Sequence, residues 1–115
     1  MSWQKKILRV DLDAGTCESE DLNMDWAHKY LGSRGLATKY FAEEVDAKVD
    51  PLSADNKLII ATGPLTSTVA PTSGRWTAIT KGPLTGAIAC SNSGGFFGAE
   101  LKNAGWDMIL SLIHI

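Results

Sequence analysis

Residues 70–102 read APTSGRWTAITKGPLTGAIACSNSGGFFGAELK, with Gly, Ser, Thr and Asn crowded into two clusters and a single Arg at the end of the first. This density of small and turn-forming residues constrains the fold more than any other feature. Glycine weakens a helix interior by about 1 kcal/mol relative to alanine, so most of the segment reads as strands alternating with loops. The tetrapeptide GPLT stands at residues 63–66 and again at 82–85, each time after an apolar or β-branched run and before small residues. One strand-and-loop arrangement is thus used twice, with too few copies and too short a period for a solenoid.

The rest of the chain supplies the elements around this segment. KILRVDL sets Ile7, Arg9 and Asp11 against Leu8, Val10 and Leu12, the period-two pattern of a strand with one buried face. Residues 13–16 read as a turn and 17–21 as the returning arm of a hairpin. Asn23 is placed to cap a short helix through MDWAHKYL, with Trp26 and Tyr30 on one face and Ala27 and Leu31 extending it. Gly32 ends that helix, GSRG turns the corner, and LATKYFAEEV restarts helical spacing with Leu36, Tyr40 and Phe41. A polar loop containing Pro51 leads into a strand at 57–61. Gly94, Gly95 and Gly98 open a short helix that Gly105 closes, and WDMIL begins a last strand. A hairpin, short helices and an antiparallel-rich sheet define an α+β fold rather than a repeating βαβ one.

Composition removes several functions. At 115 residues, 44% hydrophobic and 21% charged, the chain is one globular domain or part of one. A net charge of −2 with no run of Lys or Arg argues against nucleic acid as a partner. The amino terminus has no signal-like apolar core and no run reaches membrane-spanning length, which points to the cytoplasm and no membrane partner. Cys17 and Cys90 are far apart, outside any CxxC or Cys/His ligand spacing, and read as reduced structural thiols. His28 and His114 have no ligands at metal spacing and read as solvated or packed. Glu43 and Glu44 point to different sides of a helix, so they form no acid/base pair and serve to solvate the second helix. Arg34 in GSRG has two readings, a contact to helix-terminal carbonyls and a reach toward a ligand.

The glycine clusters also have two readings. Residues 92–98 form a glycine-rich run into a helix start, where free N–H groups and the helix dipole favour an anion. Thr72, Ser73 and Ser93 add hydroxyl donors, and Arg75 adds a planar fork suited to phosphate or carboxylate. Together they suggest a phosphorylated ligand. The other reading makes the same glycines turns and close-packing points between strands. Neither common nucleotide motif is met, since Ser93 stands where a dinucleotide fingerprint needs its first Gly and no GK[ST] marks a P-loop.

Three segments, YLGSRGLATKYFAEEVD, DPLSADNKLIIATGPLTSTVAPTSGR and TKGPLTGAIACSNSGGFFGAELKNAGWD, carry a family likeness. In order and spacing they resemble the amino-terminal domain of the aldehyde ferredoxin oxidoreductases. The resemblance implies that residues 1–110 are the first half of a duplicated cofactor-binding domain and that 111–115 are a divergent or truncated end. It implies an enzyme that oxidises aldehydes to carboxylic acids, with tungstopterin or molybdopterin (two pterins per metal), magnesium and a 4Fe-4S cluster whose ligands lie outside this chain. Ferredoxin and a small aldehyde are the implied partners, a homo-oligomer is the implied assembly type, and this piece alone is expected to be inactive. By the same resemblance Arg75 contacts a pterin phosphate, the backbone carbonyl of Asn92 helps hold the magnesium, and Gly94 touches a pterin, with Ser93 and Gly95 in the same loop. No residue of this chain is expected to be catalytic. The alternative is a stand-alone phosphate-ligand binding module without redox activity.

Overall fold

The computed structural model describes residues 3–112. Six strands form one sheet: β1 (Lys6–Asp11), β2 (Thr16–Asp21), β3 (Lys57–Thr62), β4 (Trp76–Lys81), β5 (Ile88–Ser93) and β6 (Met108–Leu112). Three helices accompany them, α1 (Met24–Tyr30), α2 (Ser33–Glu44) and α3 (Phe97–Asn103). The sheet order is β2-β1-β6-β3-β4-β5. Its only parallel pairing among the described residues is β1 with β6, and the other four are antiparallel. The mixed α/β layout and antiparallel bias agree with the sequence pattern.

One face of the sheet carries the core. Ile7, Ile59, Ala61, Ile79, Met108 and Leu110 are cross-strand partners or next-nearest on the same face, and all are buried. Leu36, Ala37, Tyr40 and Phe41 of α2 join them, together with Ala27 of α1. Each fully buried Ile or Leu contributes roughly 1.5–3 kcal/mol. On the opposite face α3 packs through Gly98, where a Cβ would lie 3.0 Å from Gly74 O and 3.4 Å from Trp76 Cβ. Both outer strands are edges, and β5 is exposed along its whole length.

Several local expectations are revised. The segment GSRG is no corner: Ser33, Arg34 and Gly35 form the first turn of α2, and the positive-φ position between the helices is Leu31. The two glycines serve close approach instead. A Cβ on Gly32 would lie 2.8 Å from Pro64 Cδ, and one on Gly35 would lie 2.8 Å from Tyr30 O. Arg34 is exposed and hydrogen-bonds no carbonyl among the described residues. The last strand that WDMIL opens is an interior one, because β6 is inserted between β1 and β3 with Met108 and Leu110 buried. Cys17 and Cys90 are free but lie exposed on the two edge strands. His28 packs edge-on against Trp3, while His114 lies outside the described residues.

Glu44 does more than solvate α2. Its carboxylate accepts from Arg9 Nη1 at 3.0 Å and from Lys57 Nζ at 2.9 Å, tying the helix to β1 and β3. Arg9 also pairs with Glu20 of β2. Burial alone would raise the Glu44 carboxyl, but the hydrogen bonds from Arg9 and Lys57 outweigh it and hold it below its ordinary 4.5. A carboxyl depressed on folding stabilises the native state fully above its unfolded value and loses that contribution as pH falls through the folded one. Glu44→Gln is therefore expected to lower the urea midpoint at pH 7, with the difference from wild type shrinking below about pH 4.5. A gap that is unchanged between pH 7 and pH 3 would refute the coupling.

Candidate functional site

The site is built where β4 and β5 end beside the loop before β4. Register places Trp76 opposite Ser93 and Thr77 opposite Asn92. Gly74 and Gly95 meet by backbone, since a Cβ on Gly74 would stand 2.9 Å from Gly95 O. Arg75, Asn92, Ser93, Gly94 and Gly95 thus fall in one neighbourhood, although 17 residues or more separate Arg75 from the others.

Ladder alternation decides which backbone groups face outward. Gly82 N donates to Ala87 O at one end of the β4–β5 hairpin, and Thr62 N donates to Asp107 O beside β3 and β6. Because hydrogen-bonded and non-hydrogen-bonded pairs alternate in antiparallel ladders, both anchors give the same phase. Thr77–Asn92 is a non-hydrogen-bonded pair, so the N–H and C=O of Asn92 point away from β4, out of the sheet edge. The C=O is available to an acceptor-seeking group such as a cation.

The side chain of Asn92 is held from within. Its Oδ1 accepts from Thr77 Oγ1 at 2.8 Å, and Thr77 Oγ1 lies 2.7 Å from Ser33 Oγ at the start of α2. Thr77 is 2% exposed, whereas Asn92 is exposed.

Arg75 is exposed, and its guanidinium makes no hydrogen bond or ion pair among the described residues. It borders a cleft of about 300 Å³ with Gly32, Ser33, Thr66, Thr72 and Ser73. Hydroxyl groups knit the wall of this cleft: Thr66 Oγ1 accepts from Gly63 N at 3.0 Å, and Ser73 Oγ donates to Thr68 O at 3.2 Å. A larger cavity of about 660 Å³ lies elsewhere, lined by Asp11, Asp13, Glu44, Asp46 and Asp55 among others. Those carboxylates repel a phosphate, so size does not select the anion site. Among the described residues, no group of three or more His, Cys, Asp or Glu is arranged to hold a metal ion.

The glycines differ in what they permit. Gly95 has φ +85°, a conformation that favours glycine. Gly94 has nothing within 4 Å of a built Cβ, so no described residue of this chain requires a glycine there. The helix that follows, α3, has only seven residues, and its N-cap Phe96 offers no side-chain hydrogen bond. Backbone approach, rather than the helix dipole, is what this loop offers. Beside it, Trp76 Nε1 is buried without a hydrogen-bond partner among the described residues, while its ring meets Phe97 edge-on at 5.1 Å. A buried N–H left unpaired costs about 1–3 kcal/mol. Sequence reasoning missed Ser33, Thr66, Trp76 and Thr77; the β4–β5 register is the signal that would have found Thr77.

Fold and site together define a mixed α/β domain whose polar, glycine-lined sheet edge is suited to an anionic group and a cation. Residues 7–111 match the family described as aldehyde ferredoxin oxidoreductase, N-terminal domain, and the chain belongs to that family. It is 60% identical over 105 residues to a tungsten-containing aldehyde ferredoxin oxidoreductase of Pyrococcus abyssi and 59% identical over 105 to that of Pyrococcus horikoshii. Each alignment covers 91% of this chain and 17% of the relative. Among solved structures, the active-site complex BamBC of benzoyl coenzyme A reductase, in complex with 1,5-dienoyl-CoA, superposes with a TM-score of 0.94 at 35% identity, over 96% of this chain and 17% of that one. The chain therefore spans about a sixth of the length of these relatives. No helix among the described residues is long and apolar enough to cross a membrane.

Proposed function

We propose that this chain is the amino-terminal part of a tungsten-dependent oxidoreductase that converts aldehydes to carboxylic acids with ferredoxin as electron acceptor. Residues 1–110 supply one half of a duplicated floor for the pterin cofactor. When bound, the metal–pterin group supplies the two-electron step by which an aldehyde and water become an acid, two protons and two electrons. The residues of this chain bind and orient that group.

The observation that carries the reading is the convergence of an unpartnered guanidinium at Arg75, an outward carbonyl at Asn92 and open space at Gly94 on one sheet edge. The donor set suits the group chemically. Arg75 offers a two-pronged contact to a phosphate, with Ser93 and the amides of Gly94 and Gly95 alongside. The Asn92 carbonyl is a hard oxygen ligand of the kind magnesium takes. Identity of 59–60% to aldehyde enzymes, against 35% to a reductase of aromatic thioesters, supports the aldehyde as substrate. The iron-sulfur cluster belongs to the same proposal, with its ligands outside these residues, as do a cytoplasmic location and a homo-oligomer.

Gly94→Val in the full-length enzyme tests it. A Cβ at residue 94 meets open space among the described residues, so thermal unfolding of the metal-free form is expected to stay unchanged. Tungsten per chain and aldehyde-dependent viologen reduction are expected to fall together. Full tungsten content in the variant, or a full-length wild type that binds no tungsten, would overturn the proposal.

A further inference from the structure

The carbonyl of Asn92 lies on a strand with a neighbour on one side only. At the Thr77–Asn92 pair the ladder itself supplies no backbone hydrogen bond. Between the hydrogen-bonded pairs Trp76–Ser93 and Ala78–Ser91, this point of β5 is tied to the domain by a side-chain chain of three groups, Ser33 Oγ to Thr77 Oγ1 at 2.7 Å and Thr77 Oγ1 to Asn92 Oδ1 at 2.8 Å. A hydroxyl has one proton to give. With Thr77 donating to Asn92, Ser33 donates to Thr77, and the polarity of the chain is set from the helix toward the edge.

Its anchor is rigid at both lower positions. Thr77 is 2% exposed on β4, which is flanked by β3 and β5. Ser33 opens the 12-residue helix α2 at φ +47°, and Gly32 before it is packed against Pro64. The same Ser33 lines the cleft beside Arg75. One relay of hydroxyls therefore links the wall of the cleft beside Arg75 to the strand that presents the outward carbonyl.

Resting on the cofactor reading above, we infer that Thr77 and Ser33 are positioning residues that hold the Asn92 carbonyl in register for the magnesium of the cofactor. Neither touches the ion. They act by fixing the side chain of the residue that does, so that the edge strand need not be ordered when the cation binds.

The experiment compares Thr77→Val, which keeps the shape and loses the hydroxyl, with Thr77→Ser, which keeps the hydroxyl. Both are made in the full-length, tungsten-loaded enzyme, alongside Gly94→Val. Each enzyme is stripped of magnesium with a chelator and titrated with magnesium alone, reading bound ion by elemental analysis. The half-saturating concentration is expected to rise about two- to tenfold in Thr77→Val, as loss of one net hydrogen bond implies, and to return to the wild-type value in Thr77→Ser. Tungsten content is expected to be unchanged in both. If Thr77→Val titrates like wild type, or Thr77→Ser is as weak as Thr77→Val, the inference fails; with tungsten lost in Gly94→Val, the cofactor reading survives that failure. Full tungsten and magnesium in Gly94→Val as well would overturn both.

Discussion

Replacing Lys102 with methionine is expected to destabilise the domain by roughly 3–5 kcal/mol, the range for stranding one member of a buried ion pair. The side chains of Lys102 and Asp107 are each 2% exposed and form a salt bridge across the turn between α3 and β6. The Asp107 carboxylate also accepts from Gln4 N at 3.0 Å and Lys5 N at 2.7 Å, and its backbone carbonyl accepts from Thr62 N and Thr62 Oγ1. Lys102 Nζ gives a further bond to Gly63 O at 3.1 Å. The pair thus clamps the segment before β1, the turn after β3 and the entry to β6. Methionine fills a similar volume but leaves a carboxylate in a low-dielectric wall with only backbone donors. In a domain whose total stability is about 5–15 kcal/mol, that loss is roughly a fifth or more. The check is a double-mutant cycle by urea unfolding. Lys102→Met/Asp107→Asn removes the stranded charge and is expected to recover part of the loss. A Lys102→Met midpoint equal to wild type would show that the pair does not clamp the fold.

What the sequence disclosed and what it hid separate along one physical line. Signals confined to a few neighbouring residues were legible. Asn23 caps α1 as its residue type predicts, accepting from Trp26 N at 3.1 Å, and Gly105 closes α3 at φ +97°. Leu36, Tyr40 and Phe41 bury the face their spacing marks. Features set by distant partners were not. That WDMIL opens a strand shows in its residues, but its place between β1 and β3, which buries Met108 and Leu110, does not. The first strand is similar: the face with Arg9 is the one beneath α2, because Glu44 and Glu20 neutralise its charge. A Lys five residues before an Asp carries no mark of burial. At the site, the resemblance pointed to Arg75 and to residues 92–95, and strand register puts them side by side. The relay through Thr77 needed the register first, since nothing near Thr77 in sequence distinguishes it from Thr80.

Arg75→Ala is expected to strip tungsten from the full-length enzyme more severely than Arg75→Lys, with the metal-free scaffold unaffected by either. The geometry separates the two effects cleanly. Among the described residues the guanidinium makes no hydrogen bond or ion pair, so its removal takes none from the domain, and thermal unfolding of the metal-free form should not move. Arg75 lines the cleft with Thr72 and Ser73, where the proposed phosphate contact falls. Lysine keeps the positive charge but replaces a planar fork with a point charge, so one of two directed bonds to a phosphate goes unmade. The expected cost is about 1–3 kcal/mol, the range for a charge-assisted hydrogen bond. Alanine removes the charge too and leaves the phosphate facing the glycine loop with amide donors alone. Tungsten per chain, measured on enzyme produced with excess tungstate, should therefore fall in the order wild type, Lys, Ala. Equal tungsten in all three would reduce Arg75 to a surface residue. Loss in both variants with a parallel fall in the metal-free unfolding temperature would instead make Arg75 part of the scaffold, a role that a guanidinium without a partner in the domain does not predict.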